Sequence, residues 1–152
     1  MERFVYDDGG RKAAGFRGEA NDCVTRAIAI ATGMPYAEVY ALVNERAKDE
    51  RYTRGKVGFM AATGRGSSAR TGVLKRTKKE IIAALGWTWH PTMRVGSGCK
   101  VHLRREELPS GRLLVSVSRH LVAVIDGVIR DTHDPSRDGT RCVYGYWYED
   151  IH

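Results

Sequence analysis

Cys23 is the residue of this sequence best suited to act as a nucleophile. It directly precedes a run of small and apolar residues and begins a predicted helix over 23–32. The amino terminus of a helix presents free amide hydrogens and a partial positive charge, and both favour a thiolate over a thiol. The thiolate is the reactive form of cysteine. Cysteines are also often buried for packing alone, so Cys23 taken by itself is more typical of an inert core residue.

His120 stands at the start of an apolar run, residues 121–125, which predicts a buried strand with the imidazole at its end. The dipeptide Asp126-Gly127 predicts a two-residue hairpin turn that joins this strand to the next one. Counting residues back from that turn places Asp131 diagonally across from His120. Side chains alternate between the two faces of a strand, so His133 is expected on this same face. Asp131 is therefore the predicted partner of the His120 ring.

Two alternatives to this assignment remain open. Asp134 could replace Asp131 as the carboxylate, although the pair Asp134-Pro135 is more typical of a turn that leaves the strand. The same carboxylates, together with His120 and His133, could also bind a divalent metal ion. No second cluster and no helix-spaced pair of histidines supports such a site, so neither a metal nor any other cofactor is predicted.

A cysteine facing a histidine that a carboxylate orients is the arrangement that nucleophilic acyl transfer requires. Through residues 21–30 and 118–131, in the order cysteine, histidine, aspartate, the sequence resembles the papain-like cysteine peptidase superfamily, especially its compact bacterial or phage members. The resemblance covers 19–148 and implies an α+β fold in which a central helix carrying Cys23 packs on an antiparallel sheet. It implies a hydrolase with a triad of Cys23, His120 and Asp131 that acts on a peptide, isopeptide or related amide bond. Transfer of the acyl group to an amine stays open, because loops that exclude water decide between the two outcomes.

One departure from that superfamily concerns the oxyanion hole. Its members usually carry a Gln shortly before the cysteine, whereas this chain contains no Gln. Asn21 is the predicted replacement, together with the backbone amide of Cys23, because an amide side chain can donate to a developing oxyanion. Capping of the helix amino terminus is an equally simple role for Asn21.

The elements that must position these residues are predicted from hydrophobic periodicity and turn signals. Helices are predicted at 23–32, at 35–49, and after a capping box formed by Thr77 and Glu80. Short strands are predicted at 87–89, 99–103, 112–118, 121–125, 128–132 and 142–148. Helices followed by an antiparallel sheet indicate an α+β class, and 152 residues fit a single domain over 1–152. Within it, 1–20 is expected to be an extended arm and 50–72 a mobile basic loop.

Positive charge is concentrated in one segment of the chain. The net charge is +7, and residues 46–79 hold eleven Lys or Arg against two acidic residues, so this segment carries +9 and the remainder −2. A solvated loop is the simplest explanation. The segment could instead dock on nucleic acid or on an acidic protein, which would make the chain a non-catalytic binding module. Its candidate contacts to a substrate or partner are Arg65, Arg70, Lys75 and Arg76.

The remaining cysteines, Cys99 and Cys142, lie in strand-like stretches and are interpreted as small packing residues. Three cysteines without Cys-x-x-Cys spacing predict neither a disulfide framework nor a zinc site. The charged amino terminus lacks the apolar core of a signal peptide, and no apolar run approaches the roughly 18 residues that span a bilayer. We therefore expect a cytoplasmic location and no membrane partner, while the resemblance to papain-like peptidases implies a protein or peptide substrate.

Overall fold

The computed structural model describes residues 3–18, 20–52 and 67–149. These residues contain three α-helices, namely α1 (Cys23–Thr32), α2 (Tyr36–Lys48) and α3 (Lys75–Ala84), and two short 3-10 helices at Asp49–Tyr52 and Arg105–Glu107. Six strands complete the described fold: β1 (Phe4–Tyr6), β2 (Trp87–Pro91), β3 (Arg112–Val117), β4 (His120–Ile125), β5 (Val128–Asp131) and β6 (Val143–Glu149). The α+β class is confirmed.

The six strands form one mixed sheet in the order β1-β5-β4-β3-β6-β2. Neighbouring strands are antiparallel except β1 and β5, which are parallel. The prediction of a wholly antiparallel sheet from the carboxyl half is therefore wrong, and residues 4–6 of the expected arm are a strand of the sheet. A strand of three residues is too short to show alternation, and parallel pairing leaves no hairpin signal in the sequence.

Helix α1 begins and ends where the sequence predicts. Asp22 precedes it, and the carbonyl of Asp22 accepts the first helical hydrogen bond from the Arg26 amide at 2.9 Å. Gly33 ends it with φ of 76°, a left-handed conformation that glycine adopts without a steric penalty. Six of its ten residues are buried, so α1 lies inside the protein and packs on the sheet at β4.

Strand β4 is buried on both faces of the sheet, which explains its uninterrupted apolar sequence. The face toward the helices packs with α1 and α2 in a cluster that includes Ile28, Val39, Ile82, Leu114 and Ala123. The opposite face packs in a second cluster that includes Leu103, Val115, Val122, Val124 and Ile129. Each such fully buried aliphatic side chain contributes about 1.5–3 kcal/mol relative to exposure. Side chains at the ends of β4 are thereby held on a rigid support.

Helix α3 starts earlier than predicted, and the predicted capping box does not form. Thr77 lies inside the helix, and its hydroxyl donates to Oε1 of Glu50 at 2.6 Å. The amide of Leu74, the residue before the helix, donates to the same oxygen at 2.8 Å. The buried carboxylate of Glu50 thus accepts the hydrogen bonds at the start of α3. The sequence had indicated Glu80 for this role.

The predictions for Cys99 and Cys142 as separate packing residues are wrong, because these two cysteines form a disulfide with Cα atoms 5.8 Å apart. The predicted strand at 99–103 is also wrong. His102 makes only an isolated bridge with Cys142, and the Val143 amide donates to the Val101 carbonyl at 2.8 Å. The disulfide joins this irregular segment to the start of β6. A pairing across 43 positions leaves no local signal, and the odd cysteine count concealed it.

Most of the predicted mobile loop at 50–72 lies outside the described residues, so that prediction is not tested. Its described end includes a tight turn in which Ser68 and Gly72 pair through both backbone hydrogen bonds, each 2.9 Å long. This turn is next to the amino end of α1, because the Asn21 amide donates to the Arg70 carbonyl at 2.8 Å.

Candidate active site

Two tight turns fix the position of β4. The turn between β3 and β4 contains Arg119 with φ of 57°, and the turn between β4 and β5 contains Asp126 and Gly127 with φ of 50° and 80°. Positive φ at both central residues is what a type I′ hairpin turn requires. Ile125 pairs with Val128, which confirms the predicted register. The histidine at the start of β4 and the aspartate at the end of β5 are therefore brought together by local geometry alone.

The ring of His120 lies against Asp131, with 2.6 Å between Nε2 and Oδ2. Asp131 is only 3% exposed, and its other carboxylate oxygen accepts from the Thr132 amide at 2.7 Å and from Arg26 at 3.0 Å. Burial alone would raise the pKa of Asp131. The hydrogen bond and charge of His120, with the Thr132 amide and Arg26, instead hold that pKa below its ordinary value. Asp131 is therefore an ionised partner for the imidazole at neutral pH.

Cys23 is the first residue of α1, and its thiol lies beside the His120 ring, close enough for the two groups to shift each other's pKa. Because Asp131 occupies Nε2 of the ring, Nδ1 is the nitrogen left to face the sulfur. Burial raises the pKa of Cys23, but the hydrogen bond and charge of His120 and the backbone amide of Leu121 lower it more. The net result is a thiol that ionises below its ordinary pKa.

The same contacts act on His120 in the opposite direction. Burial disfavours the imidazolium, but hydrogen bonds with Asp131 and Cys23 and the charges of both groups raise the pKa of His120 to about 9. A cysteine with a lowered pKa beside a histidine with a raised pKa favours the thiolate–imidazolium form of the pair. The two groups interact closely enough to titrate as a pair.

Arg26 joins the triad to α1, and the sequence analysis did not identify it. One guanidinium nitrogen is 2.5 Å from Oδ1 of Asp22 and another is 3.0 Å from Oδ1 of Asp131. Asp22 is 2% exposed and also accepts from the Tyr36 hydroxyl at 2.6 Å. The i, i+4 spacing of Asp22 and Arg26 on an otherwise apolar helix was the available signal. This network fixes the Asp131 carboxylate relative to the helix that carries the cysteine.

Cys23 and His120 line an open cleft of about 950 Å³ between the amino end of α1, the turn at 68–72, α3 and the β3–β4 turn. Asn21, the predicted oxyanion donor, lines the same cleft and is exposed. Within residues 3–18, 20–52 and 67–149, its side-chain amide makes no hydrogen bond, so it does not cap α1. The position of Asn21 beside the cysteine is compatible with its predicted role, which stays a prediction.

The four basic residues predicted to contact a substrate or partner lie in different places. Arg70 and Lys75 line the cleft. Arg76 lies on the outer side of α3, where its guanidinium is 3.7 Å from the Glu80 carboxylate. Arg65 lies outside the described residues. The structure therefore brings two of the four to the cleft that holds the cysteine.

Lys78 is a further basic residue at this cleft that the sequence analysis did not single out. It is half-buried on α3, and its Nζ lies 5.6 Å from the centroid of the Trp147 ring. Burial lowers the pKa of Lys78, while the negative charge of Cys23 acts to raise it. Lys78 is thus close enough to interact electrostatically with the thiolate. Nothing in the sequence distinguishes Lys78 from the other lysines of α3.

The alternative carboxylate and the alternative metal site can be compared with the geometry. Asp134 points away from the triad, since its Oδ2 is 3.0 Å from Arg3. Ligand atoms of His120, Asp131 and His133 all lie within 4.8 Å of one another, and these three residues are the only such group among the described residues. A metal bound there would compete with the bond between His120 and Asp131. The metal hypothesis remains a minor alternative on these grounds.

Comparison of the chain with protein-family models, with curated proteins and with solved structures gave no match. None of the helices in the described ranges is long and apolar enough to cross a membrane. A cytoplasmic location stays a prediction, and the disulfide removes the support that unpaired cysteines gave to it. The functional proposal below therefore depends on the site itself.

Proposed function

We propose that this protein is a papain-like, thiol-dependent hydrolase that cleaves a peptide, isopeptide or related amide bond. The observation that carries the proposal is the His120 ring, which bonds Asp131 through Nε2 and lines the same cleft as Cys23, with which it interacts. A nucleophile, a base and a group that orients the base are the components of covalent acyl transfer. Their place at the wall of an open cleft gives a substrate access to the sulfur.

In the proposed reaction, the Cys23 thiolate attacks the carbonyl carbon of the scissile amide, and the carbonyl oxygen becomes an oxyanion. The His120 imidazolium gives its proton to the leaving nitrogen, the carbon–nitrogen bond breaks, and a thioester forms on Cys23. Asp131 keeps the ring in the tautomer that can exchange a proton with the sulfur side. The Cys23 amide at the start of α1 and the Asn21 side chain are the proposed donors to the oxyanion.

The second half of the reaction releases the acyl group. Neutral His120 removes a proton from water, the resulting hydroxide attacks the thioester, and the carboxylic acid leaves while Cys23 returns to a thiolate. An amine in place of water would transfer the acyl group by the same steps. The openness of the cleft to solvent favours water as the acceptor.

Labelling with iodoacetamide tests this proposal, because Cys23 is the only cysteine outside the disulfide. We expect the reagent to modify Cys23 at pH values well below the pKa of an ordinary cysteine. At the same pH, it should modify Cys23 faster than a simple thiol. His120→Gln should return the pH dependence to that of an ordinary thiol. Peptide mass spectrometry identifies the modified residue, and Cys23→Ala removes the modification.

Turnover provides the second measurement, with a library of internally quenched peptides as substrates. Cleavage by the unmodified protein and its loss in Cys23→Ala are expected, with Asp134→Asn, which leaves all three triad residues and the disulfide in place, as the control. Labelling of Cys23 at the rate and pH dependence of a free thiol would overturn the proposal, whatever the peptides show.

A further inference from the structure

We propose that the cleft selects acyl substrates with negative charge close to the scissile bond, so that the natural substrate is an acidic peptide segment. This inference rests on the proposed hydrolase function and names its substrate class. It starts from the charges that surround Cys23, which the triad chemistry itself does not require.

The cleft has a strongly one-sided charge distribution. Four cationic side chains line it: Arg70, Lys75, Lys78 and Arg119. Among the described residues that line it there is no aspartate or glutamate, because the triad carboxylate lies behind the His120 ring. Walls of a single sign in a cleft focus the field and raise the local concentration of ligands with the opposite charge.

Lys78 brings one of these positive charges near the chemistry. It is half-buried, its ammonium lies over the Trp147 ring, and it interacts with the Cys23 thiolate. An ammonium group that is partly removed from water is stabilised by an anionic partner, because the carboxylate replaces part of the hydration that burial removed. Lys75 lies one turn earlier on α3 and lines the same cleft. The two ammonium groups can therefore receive acidic side chains on one side of the scissile carbonyl.

An acidic peptide fits the cleft better than a nucleic acid does. The described lining contains a single aromatic residue, Tyr144, whereas binding of single strands relies on several stacked rings. The remaining lining is aliphatic, with Val24, Val73, Val117 and Leu121, which suits peptide side chains. The proposed reaction also needs a carbonyl carbon, which a phosphodiester lacks.

Two alkylating reagents of different charge test the inference without knowledge of the natural substrate. Iodoacetate and iodoacetamide both react with the Cys23 thiolate: a sulfur–carbon bond forms, the carbon–iodine bond breaks and iodide leaves. The ratio of their second-order rate constants reports the local charge, because both reagents need the same thiolate and its population cancels. We expect Cys23 to favour iodoacetate, and the preference to decrease as salt is added.

Lys78→Gln should lower this ratio by about fivefold, the size expected for one charge several ångströms away in a partly screened site. Lys79→Gln is the matched control. It removes the same charge from the next residue of α3, whose ammonium lies 5.9 Å from the Trp89 ring and does not line the cleft. Lys75→Gln, at an exposed residue, gives a second variant with little risk to folding and should lower the ratio as well.

Competition identifies the class of ligand. A Glu-rich peptide should slow iodoacetamide labelling of Cys23 more than a Gln-rich peptide of equal length, and Lys78→Gln should weaken that protection. Equal ratios in the unmodified protein, Lys78→Gln and Lys79→Gln would overturn the inference, as would protection by a single-stranded oligonucleotide but not by the Glu-rich peptide. Ordinary thiol reactivity toward iodoacetamide would instead overturn the proposed function, so the two failures are distinguishable.

Discussion

Asp131→Asn removes the charge that holds His120 protonated and keeps nearly the same side-chain shape. The pKa of His120 is raised from an ordinary 6.5 to about 9, which corresponds to about 3 kcal/mol in favour of the protonated ring. Burial opposes this change, so Asp131 and Cys23 together contribute more than that figure. If Asp131 supplies half of it, the substitution lowers the pKa of His120 by at least about 1.

The assay is a nuclear magnetic resonance titration of protein with isotopically labelled histidine, in which His120→Gln assigns the His120 signal. The pKa of that signal should decrease from about 9 to about 8 or lower in Asp131→Asn. The onset of thiolate absorbance from Cys23 should move to higher pH in parallel, because a weaker imidazolium stabilises the thiolate less. The ion pair of Cys23 thiolate and His120 imidazolium would then exist over a narrower range of pH.

Asp134→Asn is the matched control for this experiment. Asp134 lies three residues after Asp131, the last residue of β5, and its carboxylate pairs with Arg3 at 3.0 Å. It should leave the His120 titration unchanged. A His120 pKa that is the same in Asp131→Asn as in the unmodified protein would refute the reasoning, because the 2.6 Å bond would then carry no electrostatic stabilisation.

Two further predictions concern stability and are measured by urea unfolding. Thr77→Val removes the hydroxyl that donates to buried Glu50, and should lower the free energy of unfolding by about 1–2 kcal/mol. An unchanged unfolding midpoint would contradict that contact. Replacement of both Cys99 and Cys142 by Ser should cost up to about 4 kcal/mol, since the disulfide closes a loop across 43 positions. Equal stability of this variant and the oxidised protein would show that the disulfide does not constrain the unfolded chain.

The half of the site that lies on one hairpin could be predicted from the sequence. Asp126 and Gly127 form a turn whose geometry fixes the register, and register decides which side chains share a face. The closeness of His120 to Asp131 followed from counting residues. Contact of Cys23 with His120 crosses most of the chain, and only the resemblance to papain-like enzymes suggested it.

Features that depend on tertiary partners could not be predicted in this way. In the sequence, Arg26 is only a polar residue within an apolar helix. Its role follows from its contact with Asp131, which the fold brings beside it. The sequence alone suggests that Glu50 is a surface acid, because its partners are the amide of Leu74, just before α3, and the hydroxyl of Thr77, 27 positions later. Short-range capping patterns describe helix ends that are satisfied locally, and α3 is satisfied from elsewhere in the chain.

The parallel strand β1 has a consequence for any change made near residue 1. Tyr6 pairs with Asp131, and the amide of Asp7 donates to the Asp131 carbonyl at 2.9 Å, so this strand braces the outer side of β5. Trimming the first seven residues would spare all three triad members and still leave the backbone beside the carboxylate exposed to water. A substitution that weakens the pairing of β1 with β5 would therefore reach the triad through the backbone of Asp131.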